Sequence, residues 1–249
     1  MKKKLFILSF LIVVGSQAFA TDRDDMKYID KLYEAKEYSI AIDELKAFVG
    51  KYPESSYQKI ALERLSKTLY LDKKYKSSIT YFKEYLKLNK LKVDEKNEAH
   101  YYLARNFMSI NDYNNAKKEI NLIDKNSSKK IDAVYYLGIA YYENGHYEEA
   151  KKTFKYLINK PERSKDALLY ISLSSYNNKE YVSSTIYLDE YLRGTTEGKN
   201  IELASYMYGM NQYKLGNNEL SIKKLTEVET SYPQSKYISD VRYGLLDIY

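Results

Sequence analysis

The feature that most constrains this chain is a three-residue pattern that returns six times at nearly constant spacing. A tyrosine is followed three residues later by a small residue and, four beyond that, by a large apolar one. The copies are Tyr38, Ala41, Leu45; Tyr75, Ser78, Phe82; Tyr113, Ala116, Ile120; Tyr147, Ala150, Phe154; Tyr181, Ser184, Leu188; and Asn218, Ser221, Leu225, where asparagine replaces the tyrosine. Successive anchors stand 37, 38, 34, 34 and 37 residues apart. Steps of three and four keep side chains on one helical face. Recurrence at this distance marks a repeated supersecondary unit rather than one long helix.

The clearest copy runs from Ile131 to Pro161 and reads as two amphipathic helices joined at Asn144-Gly145-His146. Leu137, Gly138 and Tyr141 share one face of the first helix, and Tyr147, Ala150, Phe154 and Leu157 share one face of the second. Gly138 and Ala150 are small where two packed helices approach most closely. Ser66, Ala104 and Ser172 hold the place of Gly138 in other copies, so the packing logic persists. These residues resemble the tetratricopeptide-repeat family, whose unit is a helix-turn-helix of about 34 residues. The resemblance implies an all-α, right-handed α-solenoid of about six repeats over residues 21–249, plus a C-terminal capping helix from Ser235 to Tyr249. The longer spacings predict longer turns near Asn89–Glu95 and Gly194–Lys199.

Two junctions, Tyr52-Pro53-Glu54-Ser55 and Tyr232-Pro233-Gln234-Ser235, are near copies. Proline ends the preceding helix and the serine two residues later can cap the next. This Y-P-x-S junction is similar to the bacterial envelope subgroup of the family. That subgroup includes the outer-membrane barrel-assembly lipoprotein and the periplasmic repeat protein of the Tol-Pal system. The present sequence lacks the lipobox cysteine of the first and the coiled-coil segment of the second.

The first twenty residues stand outside the repeats. Lys2, Lys3 and Lys4 precede an almost wholly apolar run from Leu5 to Val14, and Ala18-Phe19-Ala20 supplies a small-x-small cleavage pattern. That is the layout of a Sec-type signal peptide cut after Ala20, with an apolar core too short to span a bilayer. Export to the periplasm or beyond is therefore expected, without a membrane span in the mature chain. The formal charge is +6 over the whole sequence, and loss of the three signal lysines leaves +3. Lys and Glu are scattered along helical faces, which argues against nucleic acid as a ligand. The sequence contains no cysteine, so thiol nucleophiles, Cys-His metal sites and disulfides are excluded.

No catalytic constellation is visible. His100 and His146 are the only histidines, no phosphate-binding glycine loop or nucleophile elbow occurs, and the carboxylates nearest the inner face are Glu63 and Glu143. No metal or cofactor is expected. Tyrosine is the compositional outlier, with 30 against 7 phenylalanines and no tryptophan. In the resembled family the first helix of each unit lines a concave groove. Counting back from the anchors places Tyr101, Arg105, Tyr135, Ile139, Tyr142, Leu173, Tyr176, Tyr206, Met210 and Tyr213 along it. The residues five before each anchor could equally pack between units. Tyrosines at such positions suit anchoring of an extended peptide, or stacking on sugar rings. The expected function is a non-enzymatic scaffold binding a protein or peptide in the cell envelope; the alternative is a glycan or peptidoglycan binder. The apolar end of the last helix, Leu245-Leu246-Asp247-Ile248-Tyr249, adds the expectation of self-association there.

Overall fold

The computed structural model describes residues 21–193 and 200–248. The segment read as a signal peptide, the inserted turn at Gly194–Lys199 and Tyr249 lie outside the described residues. Among them the chain forms thirteen helices and no strand. Six first helices, α1 (Asp22–Glu34), α3 (Gln58–Leu71), α5 (Val93–Ser109), α7 (Ser128–Glu143), α9 (Ser164–Asn177) and α11 (Ile201–Lys214), alternate with six second helices. These are α2 (Tyr38–Lys51), α4 (Tyr75–Tyr85), α6 (Tyr113–Leu122), α8 (Tyr147–Lys155), α10 (Tyr181–Leu192) and α12 (Asn218–Ser231), and α13 (Ile238–Ile248) follows alone. Every anchor is the first residue of a second helix. The Y-P-x-S serines bond in the turn just ahead of the next helix, with Ser55 and Ser235 Oγ accepting the backbone N–H of Tyr57 and Tyr237, one residue before α3 and α13 begin.

One turn geometry closes all six pairs. The residue two before each anchor, Lys36, Lys73, Asn111, Gly145, Lys179 or Gly216, has φ between 58° and 77°. Its N–H and the next one bond back into the last helical turn. Lys73 N–H reaches the Tyr70 carbonyl at 3.0 Å and Lys74 N–H reaches that of Leu69 at 2.9 Å, and the other five turns repeat this pair. That is the Schellman closure, which satisfies carbonyls the helix end would orphan. Glycine reaches this backbone region freely, whereas Lys36, Lys73 and Lys179 are held there by the two bonds. A tyrosine edge contact braces the same corner in four repeats. Tyr33–Tyr38, Tyr70–Tyr75, Tyr142–Tyr147 and Tyr176–Tyr181 have ring centres 5.5–6.0 Å apart.

By packing the chain divides into two compact units, up to Leu65 and from Ser66 onward, with the boundary inside α3. In the first, Tyr52 and Lys51 donate to Asp25 at 2.9 and 3.0 Å and Ser55 donates to Asp22, tying the α2–α3 junction to α1. In the second, consecutive helices from α4 to α13 pack in order, and α5 adjoins α7, α7 adjoins α9 and α11 adjoins α13.

The small positions are fully buried in every repeat: Ala41, Ser78, Ala116, Ala150, Ser184 and Ser221. A buried hydroxyl needs a partner, since leaving it unpaired costs about 1–3 kcal/mol. Ser78 and Ser221 donate to the carbonyls of Ser66 and Gly209 at 2.8 and 2.9 Å. Ser78 and Ser184 also accept from Asn106 and Asn211, on the next first helix, at 3.0 and 2.8 Å. Elsewhere the joint is apolar. A Cβ at Gly138 would stand 2.6 Å from the Phe154 ring, so the close approach requires glycine. Phe82 and Phe154 each stack on a tyrosine of the following first helix, Tyr102 and Tyr170, at 5.4 and 5.0 Å.

Candidate binding face of the first helices

All ten residues assigned to the groove from the sequence are half-buried, neither core nor fully solvated. They do not form one uniform line. Tyr101, Arg105 and Ile139 come together where α5 meets α7. Tyr135 and Tyr142 converge on Tyr170 of α9, at 6.3 and 5.5 Å between ring centres. Leu173, Tyr176 and Tyr206 pack against the core shared by Leu168, Leu169, Leu188, Tyr191, Ala204 and Met207. Tyr206 and Met210 also cover Leu225, Val228 and Val241, and Tyr206 stacks on Tyr237 at 5.3 Å. Tyr213 donates a short hydrogen bond to Asp247 of α13. The tyrosines of α9 and α11 therefore do much of the packing between repeats.

The α5–α7 region is different. Its centre is Arg105, whose guanidinium lies 3.6 Å from the centre of the Tyr136 ring and 5.8 Å from those of Tyr70 and Tyr101. Arg105 Nη1 donates to the Tyr101 hydroxyl at 2.9 Å. A cation over an aromatic face is held by the ring quadrupole, worth about 0.5–2 kcal/mol depending on burial. No carboxylate lies within ion-pair distance of Arg105 among the described residues. Burial works against its charged form, but Tyr70 and Tyr101 outweigh it and the guanidinium stays protonated. Burial pushes the Tyr101 phenol above its ordinary value, so at neutral pH it is a neutral hydrogen-bonding group.

Beside this guanidinium is a cleft of about 260 Å³. Met108, Tyr136, Ile139 and Ala140 supply its apolar wall, and Ser109, Asn111, Glu143 and Asn144 its polar rim. Further along, Glu98 takes hydrogen-bonding contacts from Lys129 at 2.6 Å and Lys67 at 3.3 Å. Burial works to raise the Glu98 carboxyl, yet those two ammonium groups hold it below the usual range. Glu143 is the carboxylate on the rim of the cleft that Arg105 lines. A guanidinium beside an apolar wall is chemistry that suits a carboxylate next to an apolar side chain.

Tyr136 and Tyr170 were not among the expected groove residues. Each lies one position after a residue of the predicted line or its equivalent, eleven before an anchor. The recurrence of tyrosine there, at Tyr102, Tyr136 and Tyr170, was the available signal. The histidines take structural places: His100 pairs with Glu119 at 2.8 Å, and His146 lies edge-on to Tyr113 and Tyr141. Among the described residues no cluster of His, Asp and Glu is arranged to hold a metal ion. No described helix is long and apolar enough to cross a membrane.

Comparison with solved structures places this architecture. The C-terminal part of a TPR repeat-containing protein from Cytophaga hutchinsonii superposes with a TM-score of 0.65 at 16% identity, over 85% of this chain and 81% of that one. The chain has the tetratricopeptide-repeat fold. PilW, described as a widely conserved type IV pilus biogenesis factor, gives a TM-score of 0.53 at 12% identity, covering 90% of this repeat chain and 99% of PilW. YrrB, described as a TPR protein with an unusual peptide-binding site, gives 0.51 at 13% identity over 70% of this chain and 86% of its own. Residues 126–249 match the YfiO family, described as an outer membrane lipoprotein. No curated protein matches the chain.

Proposed function

We propose that this protein is an exported, non-catalytic scaffold that binds an extended segment of a protein partner in the cell envelope, across the first helices α5, α7 and α9. The observation that carries this reading is the setting of Arg105, a half-buried cation with no carboxylate partner, framed by three tyrosine rings and opening on an apolar cleft. In this reading an acidic side chain of the partner meets Arg105, and a neighbouring apolar side chain enters between Met108 and Ile139. Removing a carboxylate from a charge-assisted pair of this kind costs about 1.5–3 kcal/mol of binding.

The envelope assignment draws on the signal-like residues 1–20 and on the similarity of residues 126–249 to an outer membrane lipoprotein family. Attachment by a lipidated cysteine is not part of it, because the sequence has none. Peptide is preferred to sugar because several tyrosine rings that a pyranose could stack on already carry a neighbour on one face. Arg163 lies over Tyr135, Phe154 over Tyr170, Phe82 over Tyr102 and Tyr237 over Tyr206.

The test is photocrosslinking in cells from a photoreactive residue at position 139. A protease-sensitive adduct that disappears when Arg105→Gln is added supports the reading. An adduct made of glycan, or one indifferent to Arg105→Gln, contradicts it.

A further inference from the structure

We infer that the outer face of α10 is a self-association surface that pairs two copies of this chain, antiparallel, about a two-fold axis passing between Val182 and Ile186. On a second helix, the residues one and five after the anchor point away from the partner helix. Five of the six second helices fill both places with polar or charged residues, for example Glu148 and Lys152 in α8 and Glu219 and Lys223 in α12. Only α10 puts Val182 and Ile186 there, and each is 60% exposed. They line one shallow concavity with Lys179, Tyr187 and the exposed Leu215 of the following turn. Val182 and Ile186 are one helical turn apart, so they form a continuous apolar strip rather than two scattered residues.

The charges at the ends of that strip identify the occupant. Lys179 stands at its start and Glu190, one turn beyond Ile186, at its end; both are exposed, and among the described residues neither is in an ion pair. The ends of α10 already suit its dipole, with Glu180 at the N-cap and Arg193 at the C-cap, so Lys179 and Glu190 are the charges that the strip itself offers. An antiparallel second copy gives both of these charges a partner. It sets Val182 against Ile186 of the other copy, and Lys179 against the other copy's Glu190. The Lys179–Glu190 pairing then forms twice by symmetry. A surface that is self-complementary in shape, polarity and charge about one axis fits a second copy better than an unrelated partner.

The strip with its flanking rings covers only a few hundred Å² per copy, below the roughly 800 Å² per partner of a standard stable interface. The dimer is therefore weak and concentration-dependent. It is independent of peptide binding at Arg105, which lies on the first-helix face.

Sedimentation velocity of the mature protein across a wide concentration range tests the proposal. The expected result is reversible dimerisation. Ile186→Glu, with helicity checked by circular dichroism, weakens it at least about ten-fold, and so do Lys179→Glu or Glu190→Lys alone. Combining Lys179→Glu with Glu190→Lys restores it, which a merely destabilised fold would not do. Leu246→Lys on α13 leaves it unchanged. Because the chain has no cysteine, a mixture of Val182→Cys and Ile186→Cys proteins gives a clean geometric readout, in which oxidation yields the mixed disulfide in preference to either homodimer. A wild-type protein that stays monomeric throughout overturns the proposal. So does association that survives Ile186→Glu, fails to return in the double charge swap, or vanishes with Leu246→Lys.

Discussion

Arg105 and Arg163 both lie against tyrosines of α7, on neighbouring residues, yet their surroundings separate two kinds of work. Arg163 sits 4.2 Å from the centre of the Tyr135 ring and holds two carboxylates, Asp132 at 2.7 Å and Asp166 at 3.3 Å. Those three charged groups join the start of α9 to α7 and leave nothing over for a ligand. Arg105 sits closer to its ring, at 3.6 Å from the centre of Tyr136, and has a phenol hydroxyl in place of a carboxylate. The same side-chain pair is thus a closed joint in one place and an open one in the other. Under the proposed function, what sets Arg105 apart for recognition is not the arginine or the tyrosine but the missing anion.

The largest disturbance should come from α7 itself, which supplies both rings. Gly138→Leu forces a side chain into the space of the fully buried Phe154 and should destabilise the protein by roughly 1–3 kcal/mol. Because neighbouring repeats stabilise one another, hydrogen exchange should quicken in α5 and α9 as well as in α7 and α8. If only α7 and α8 respond, the two arginine sites are less coupled than the packing implies.

Arg163→Gln comes next. It leaves Asp132 and Asp166 facing each other beside Tyr135 without their cation, and the arginine side chain is only 26% exposed. A loss of about 1 kcal/mol is expected in denaturant unfolding, at the upper end for a partly exposed network. Arg105→Gln removes no ion pair and should change stability by no more than about 0.5 kcal/mol. Equal losses from the two would erase the distinction.

Titration should separate the sites more gently. Burial, helped by the Asp166 carboxylate, pushes the Tyr135 phenol up to about 12. The native state therefore keeps a proton that the unfolded chain gives up near pH 10. This contribution is fully present below pH 10 and is lost as pH rises from 10 towards 12. Tyr206, raised to about 12 by burial and Asp240, behaves alike. Melting temperature should fall across this window, and Tyr135→Phe should flatten part of the fall. An unchanged slope in Tyr135→Phe would mean that burial of this ring is not what resists ionisation.

Much of this fold was legible because its packing is local and periodic. Each anchor opens a second helix, and the small residue three later is buried in every copy. The turns were less readable: lysine at positions 36, 73 and 179 gives no hint of the left-handed backbone that the Schellman bonds impose. The site was half legible. Counting from the anchors named Tyr101, Arg105 and Ile139, which the structure gathers where α5 meets α7, and residues of α9 and α11, which pack between repeats. Tyr136 and Tyr170 escaped because two adjacent residues of one helix both border the next repeat, whereas a single line allows one. The contrast between the arginines could not be read at all, since the pairing of Arg163 with Asp132 spans thirty-one residues and depends on how α7 and α9 meet.

The decisive measurement is the affinity of the crosslinked partner segment for the wild-type protein and for the Arg105→Gln and Arg163→Gln variants, under conditions where all three are folded. The Arg105 variant should bind at least about ten-fold more weakly, as loss of a charge-assisted contact requires. The Arg163 variant should bind within about three-fold of wild type, an energy difference below 0.7 kcal/mol by the same arithmetic. Full affinity without Arg105, or a larger loss without Arg163, would contradict the assignment of Arg105 as the residue that meets the partner.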